Sequence, residues 1–357
     1  ELGEFFLDKL RYADAAQTYQ SFMARYPLHA MAPRFSMRVV EIYEAGAFPK
    51  LVLEAKRAFA SDYGVASDYW QHNDIQKAPE TLAYLEANLR DLATHSHALY
   101  QEADEASRRP THFEEASLWY REYLASFPTG ADTPGIHRRF ADLLLEDERF
   151  AESAEAFETV AYTYPPHEDA AAAGYAAVYA RRSEHARALP EAAETALRSV
   201  VASSLRFVAG FPADDQADLV LGAAADDLYT LGDHGEAIVN ARRLIENYPE
   251  SERETLRGAW LCVANASFDS TLFEDAEHAF LQVLTLSTPE DEDVTDSLAA
   301  TVYKQGELAK AAGDPRSASA HFLRIADVAP RSTIRPMAEY DAAASLITLE
   351  DWAAAAV

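Results

Sequence analysis

The sequence predicts an all-α fold in which one helix pair is stacked many times. Three observations predict it. A short phrase recurs: an aromatic, Ala three residues on, an aromatic or small residue four further, then Pro eight beyond that. The alternating β-branched runs that mark strands are nearly absent. Ala-rich helical periodicity stands in their place, as at 170–180 and 223–231. Recurrence at a fixed period is the signature of one supersecondary unit used repeatedly.

The first copy of the phrase is Tyr12, Ala15, Tyr19 and Pro27, with the helical segment Leu2-Gly3-x-x-Phe6 ahead of it. Tyr63 stands where a second copy would end. A break follows at 64–79, where Tyr69 and Trp70 lie among polar residues. Insertions of this kind can carry binding, and the two aromatics can equally cap the groove between repeats. A long helix is then expected from about Glu80 to Ala106. Phe113, Ala116, Tyr120 and Pro128 repeat the phrase spacing for spacing, and Phe150, Phe157 and Pro165 repeat it with Ser153 at the small position.

A second break spans 182–194, with Pro190 predicted to start a long helix. Phe211-Pro212 fills a gap, and Ala237, Ala241 and Pro249 keep the second half of the phrase. Phe273, Ala276 and Phe280 keep the first half, with Pro289 one residue late. The acidic run 290–293 suits a loop or a helix start, where carboxylates favour the dipole. The last copy is Ala318, Phe322 and Pro330, preceded by Val302-x-x-Gln305-Gly306 and a turn at Gly313-Asp314-Pro315. Residues 1–357 thus read as a single solenoid of about eight to nine units, in about sixteen to eighteen helices. The chain opens at Glu1 inside a first helix and stops at Val357 inside a second, so further repeats are expected on at least one side.

The phrase has a physical reading. Two helices meet in a short turn and cross as an antiparallel pair. The recurrent Ala marks a place where only a methyl group fits, and the aromatic before it covers that contact. Pro stops the second helix because it cannot continue the hydrogen-bond ladder. One pair cannot bury its apolar face alone, so stacking supplies the core.

Leu2, Gly3, Phe6, Ala15, Tyr19 and Pro27, and again Trp260, Ala264, Ala276 and Phe280, resemble the tetratricopeptide repeat, whose period is 34 residues. The resemblance runs through almost the whole chain. It implies a right-handed superhelical array in which the first helix of each pair lines a concave face that holds an extended peptide or helix of a partner. The endings Ala24-Arg25-Tyr26-Pro27 and Glu246-Asn247-Tyr248-Pro249 resemble a bacterial envelope branch of that superfamily, which tilts the expected location toward the periplasm.

The net charge is −28. Nucleic-acid phosphate is repelled by such a surface, so a basic or amphipathic protein segment is the expected partner. Hydrophobic residues make up 49%, ample for a core, but no apolar run reaches the roughly 18 residues of a membrane span. The lone Cys262 falls on the apolar pattern and reads as a small buried hydrophobe. No phosphate loop, dinucleotide fingerprint or zinc motif is present, so neither an enzyme nor a cofactor nor a metal is expected. His95 and His97 are two apart, point to different faces of a helix, and read as surface residues.

With the phrase setting the register, the resemblance places Tyr43, Gln101, Arg138, Asp142, Asp226, Tyr229, Asn265 and Tyr303 on the concave face as partner-binding candidates. A terminal-carboxylate clamp would need Asn and cations in equivalent places. Here Asn265 is isolated and Asp142 and Asp226 take those places, which favours a basic ligand. Two other roles stay open: self-association through terminal helices, and support of a catalytic region elsewhere.

Overall fold

A computed structural model describes residues 1–103, 109–287 and 291–355. Among them are nineteen α-helices, one 3₁₀ turn and no strand. Ala106, Pro289, Glu290 and Val357, which figured in the sequence reading, lie outside the described residues.

The helices fall into pairs: α1 (Leu2–Asp8) with α2 (Tyr12–Arg25), α3 (Ala32–Ala45) with α4 (Pro49–Tyr63), α6 (Pro79–Glu102) with α7 (Arg109–Ser126), and α8 (Thr133–Glu146) with α9 (Phe150–Tyr162). Then come α10 (Ala170–Ala186) with α11 (Pro190–Gly210), α12 (Ala217–Thr230) with α13 (His234–Asn247), α14 (Arg253–Asp269) with α15 (Phe273–Leu286), α16 (Glu292–Ala311) with α17 (Pro315–Val328), and α18 (Arg335–Thr348) with α19 (Trp352–Ala355). A short α5 (Tyr69–His72) lies outside this scheme. Two compact units result, Glu1–Ala173 and Gly174–Val357. Within each, consecutive helices pack on one another, which is the construction of an all-α solenoid.

Contacts within the pairs are antiparallel. The Ser153 hydroxyl donates to the Ala141 carbonyl, so residues equidistant from the α8–α9 turn meet. A Cβ added at Gly3 would lie 2.5 Å from the Tyr19 ring, and one at Gly306 the same distance from Phe322. The glycines are there because an aromatic of the second helix lies flat on the backbone of the first. The recurrent small residues are the counterpart: Ala15, Ala116, Ser153, Ala237, Ala276 and Ala318 are all fully buried.

The turns inside the pairs share one device. Leu10, Ala47, Glu148, Gly232, Thr271, Gly313 and Glu350 are each left-handed, with φ between 55° and 77°. Each stands two residues before the next helix begins. At Thr271 the peptide N–H donates to Phe268, and the following Leu272 N–H donates back to Ser267. The same two bonds recur at the other six turns. This is the Schellman closure, which satisfies the last carbonyls of the first helix. The exits from second helices differ. Tyr26, Phe211, Tyr248 and Ala329 precede Pro, and each has left the helical region, with φ from −143° to −127°.

Both breaks are now concrete. The first contains α5 and the 3₁₀ turn at Ile75–Lys77. Tyr69 is buried against Tyr63 at 5.1 Å in a T-shaped contact, and the Trp70 indole donates to the Tyr63 carbonyl at 3.0 Å. These aromatics are part of the packing at that end of α4. In the second break, α10 runs on to Ala186 and Pro190 opens the 21-residue α11. Asp291 caps α16 by accepting from the Val294 N–H. Helix α6 ends at Glu102.

Candidate functional site

The left-handed turn residue gives a ruler for comparing first helices. Six residues before it stand Glu4, Glu41, Asp142, Asp226, Asn265, Glu307 and Ala344. Five of the seven are carboxylates, and Asn265 is the amide of the same shape. One residue earlier, the side chain is small and turned into the pair, as with Ala141, Ala225, Ala264 and Gly306, all buried. Successive residues on a helix point about 100° apart, so this polar position lies off the packed seam.

In the first unit, Glu4 bonds Arg38 at 2.8 Å and accepts from the Tyr19 hydroxyl at 2.6 Å. Arg38 holds its carboxyl below the usual range, with Tyr19 adding to the effect. Glu41 pairs with the same Arg38 at 2.6 Å. Asp142 is different. It is half-buried, and burial raises its pKa; Arg138 opposes that rise and Glu146 adds to it. Asp142 lines a hollow of about 390 Å³ with Gln101, Glu146, Arg139, Tyr120 and His97.

Gln101 donates to Glu146 at 2.8 Å. Two candidates read from sequence, Gln101 and Asp142, therefore share one hollow. Arg138 faces the start of α10 and pairs with Asp169. Tyr43 stands apart from them, its hydroxyl 3.4 Å from the Gln20 amide and its ring against Phe48. The surface reading of the histidines is corrected. His95 is exposed, but His97 is buried between the Tyr120 hydroxyl at 3.0 Å and Glu146 at 3.2 Å. Its i, i+4 partner Gln101, with Glu146 from α8, closes over it.

In the second unit, Asp226 reaches the surface of α12, yet desolvation raises its pKa and the charge of Asp227 raises it further. The Cys262 thiol bonds to it from α14. Burial, followed by the Asp226 charge, pushes that thiol up to about 12. Cys262 is therefore a protonated, buried donor, and its thiolate chemistry is suppressed. Asn265 lies one turn along α14 and is half-buried.

Tyr229 donates to Asp269 at 2.8 Å and Tyr303 to Asp341 at 2.5 Å. Each bond joins one first helix to the next. Both rings pack against the core of the unit, so neither tyrosine is a free aromatic anchor. Sequence reasoning missed this ladder, because the acceptors lie 38 to 40 residues away and Asp is common throughout the chain. Among the described residues no group of three or more His, Cys, Asp or Glu could hold a metal ion. Among the described residues no helix is long and apolar enough to cross a membrane.

No protein-family model matches the chain, and no curated protein does. Solved structures with similar helix arrangements exist. The C-terminal part of a TPR repeat-containing protein from Cytophaga hutchinsonii is 14% identical, with 83% of this chain and 98% of that one covered at a TM-score of 0.35. A tetratricopeptide repeat protein from Parabacteroides merdae is 12% identical, with coverages of 84% and 95% and a TM-score of 0.30. PilW, a type IV pilus biogenesis factor, is 14% identical, with coverages of 69% and 97% and a TM-score of 0.27. Superpositions this loose add nothing to the assignment, which rests on the helix pairs and turns of the chain itself.

Proposed function

We propose that this chain is a non-catalytic scaffold that binds a basic or amphipathic segment of a protein partner along its first helices. One observation carries the reading: a carboxylate recurs at the same register position of the first helices, and neither the half-buried Asp142 nor the exposed Asp226 has a cation bonded to it. A carboxylate with no cation bonded to it gains a charge-assisted hydrogen bond once a Lys or Arg arrives. Gln101, Arg138 and Asn265 supply hydrogen bonds at its edges. Tyr43, Tyr229 and Tyr303 hold neighbouring helices in place beneath it. The aromatic–Pro endings support a place in bacterial envelope assembly, which fractionation of the native cells checks.

The test is a selection of helical peptides on the purified chain, followed by affinity measurement. Lys- and Arg-rich peptides are expected, and their affinity should fall several-fold from 50 to about 300 mM salt as the Debye length shortens. Selection of acidic peptides would sink the reading. Exposed apolar residues favour a second reading, self-association: Leu2 is 58% and Phe5 55% exposed in one unit, and Tyr340 76% and Trp352 64% in the other. Sedimentation of the parent beside Phe5→Ser and Trp352→Ser variants separates the two. A concentration-dependent dimer lost in either variant supports self-association, and a monomer throughout removes it.

A further inference from the structure

A second site lies away from the acidic position, among α2, α3, α4 and the 64–79 insertion. There the first unit contains a hollow of about 800 Å³. That volume falls in the range of small-molecule pockets, roughly 300–1,000 Å³. Its apolar wall includes Met23, Leu28 and Val39. Tyr63 and Tyr69 also line it, their rings set edge to face at 87°.

Two of the polar groups that line it lack a strong partner. Ser36 is 7% exposed and no described group bonds its hydroxyl. The Tyr63 hydroxyl has only the Met23 sulfur at 3.9 Å, a weak acceptor. Asp62 and Asp68 bring two carboxylates, and no Lys or Arg is among the lining residues. Asp68 accepts from Gln71, and both carboxylates are exposed, though desolvation still raises the Asp62 pKa.

Aromatic faces, a carboxylate without a cation and an apolar wall together select one kind of ligand. Ring quadrupoles attract cations, and ammonium groups are the usual guests of such aromatic sites. An anionic guest would be repelled by the two carboxylates, and a neutral one would leave them without a countercharge. We propose that the hollow bounded by α2, α4 and the 64–79 insertion is a binding site for a small organic ammonium ion with an apolar body. Its nitrogen sits between the Asp62 carboxylate and the Tyr63 and Tyr69 rings, and its apolar part lies against Met23 and Val39. The insertion then has a role beyond packing, since Tyr69 and Asp68 come from it.

Calorimetric titration of the full chain with phenethylammonium, 2-phenylethanol and 3-phenylpropionate tests this. The ammonium should bind at least about tenfold more tightly than either isostere. Asp62→Asn should remove most of that preference. Ala58→Leu, placed on an exposed position of α4 that lines the hollow, should abolish binding with helicity unchanged. Glu236→Gln, at an exposed position of the other unit, should change nothing. Equal binding of all three probes, or an Asp62→Asn variant that keeps the parent preference, overturns the proposal. So does undiminished binding to Ala58→Leu.

Discussion

Thr271 is a β-branched residue with φ of 61°, where such side chains clash with their own backbone. It holds that conformation because the two Schellman bonds and the packed pair fix the turn. Gly313 takes the same place at 77° without that strain. Thr271→Gly should therefore raise stability by about 1 kcal/mol and Gly313→Ala lower it by about 1 kcal/mol, both read from urea midpoints. A loss on Thr271→Gly would mean that the hydroxyl has a role of its own. Asp142 makes a pH prediction. Burial raises its folded pKa above the unfolded one, so its charge opposes folding above that raised value, and the penalty is relieved as pH falls through it. Asp142→Asn should raise the melting temperature at pH 7, with the gain shrinking toward pH 4. Glu4 has the opposite sign: its folded pKa is lowered, so its contribution is present at neutral pH and fades in acid. The recurrent carboxylate is visible in the sequence only once the turns are located. Leu10, Ala47, Glu148 and Glu350 give no hint that they turn left-handed, so that ruler could not be drawn from sequence.

At the scale of the helix, the small residue of the phrase decides how closely a pair packs. Ala116 and Ala237 are fully buried, and nothing around them can give way without moving a helix. A Leu at either site should cost about 1–3 kcal/mol through overpacking, measured by thermal and urea unfolding. An unchanged midpoint would mean that the pair is looser than its burial implies. The pairing itself was legible because it rests on local spacing: Ala and aromatic at fixed offsets, Pro at the exit, Pro190 at a helix start. What spacing cannot register is a contact made across repeats. The hydrogen bond from the Tyr248 hydroxyl to the Pro212 carbonyl at 3.0 Å is one case, and it gives the aromatic–Pro ending a job. His97 is another. Its neighbours one turn away look polar, yet Tyr120 and Glu146 from α7 and α8 enclose it. Tyr69 is a third, since its burial depends on the end of α4 and not on its own polar surroundings.

Within each compact unit, helices pack mainly on the ones beside them in sequence. Stability in such an array is close to a sum of repeat and nearest-neighbour terms. Unfolding should then be incompletely cooperative, with the two compact units giving distinct levels of amide-exchange protection. One uniform level from end to end would contradict this. The charge of −28 belongs to this scale as well. It attracts basic segments and repels nucleic acid over a Debye length of roughly 8–10 Å, but it cannot choose among basic partners. In the proposed function that choice falls to the register position shared by Asp142 and Asp226. The most direct test is the affinity of a selected Lys- and Arg-rich helical peptide for the parent and for an Asp226→Asn, Tyr229→Phe double variant. Phe keeps the ring packed while removing the hydroxyl. Binding at least about tenfold weaker, with helicity retained, is the result expected if the first helices receive the partner. Equal affinity for the two proteins would contradict it.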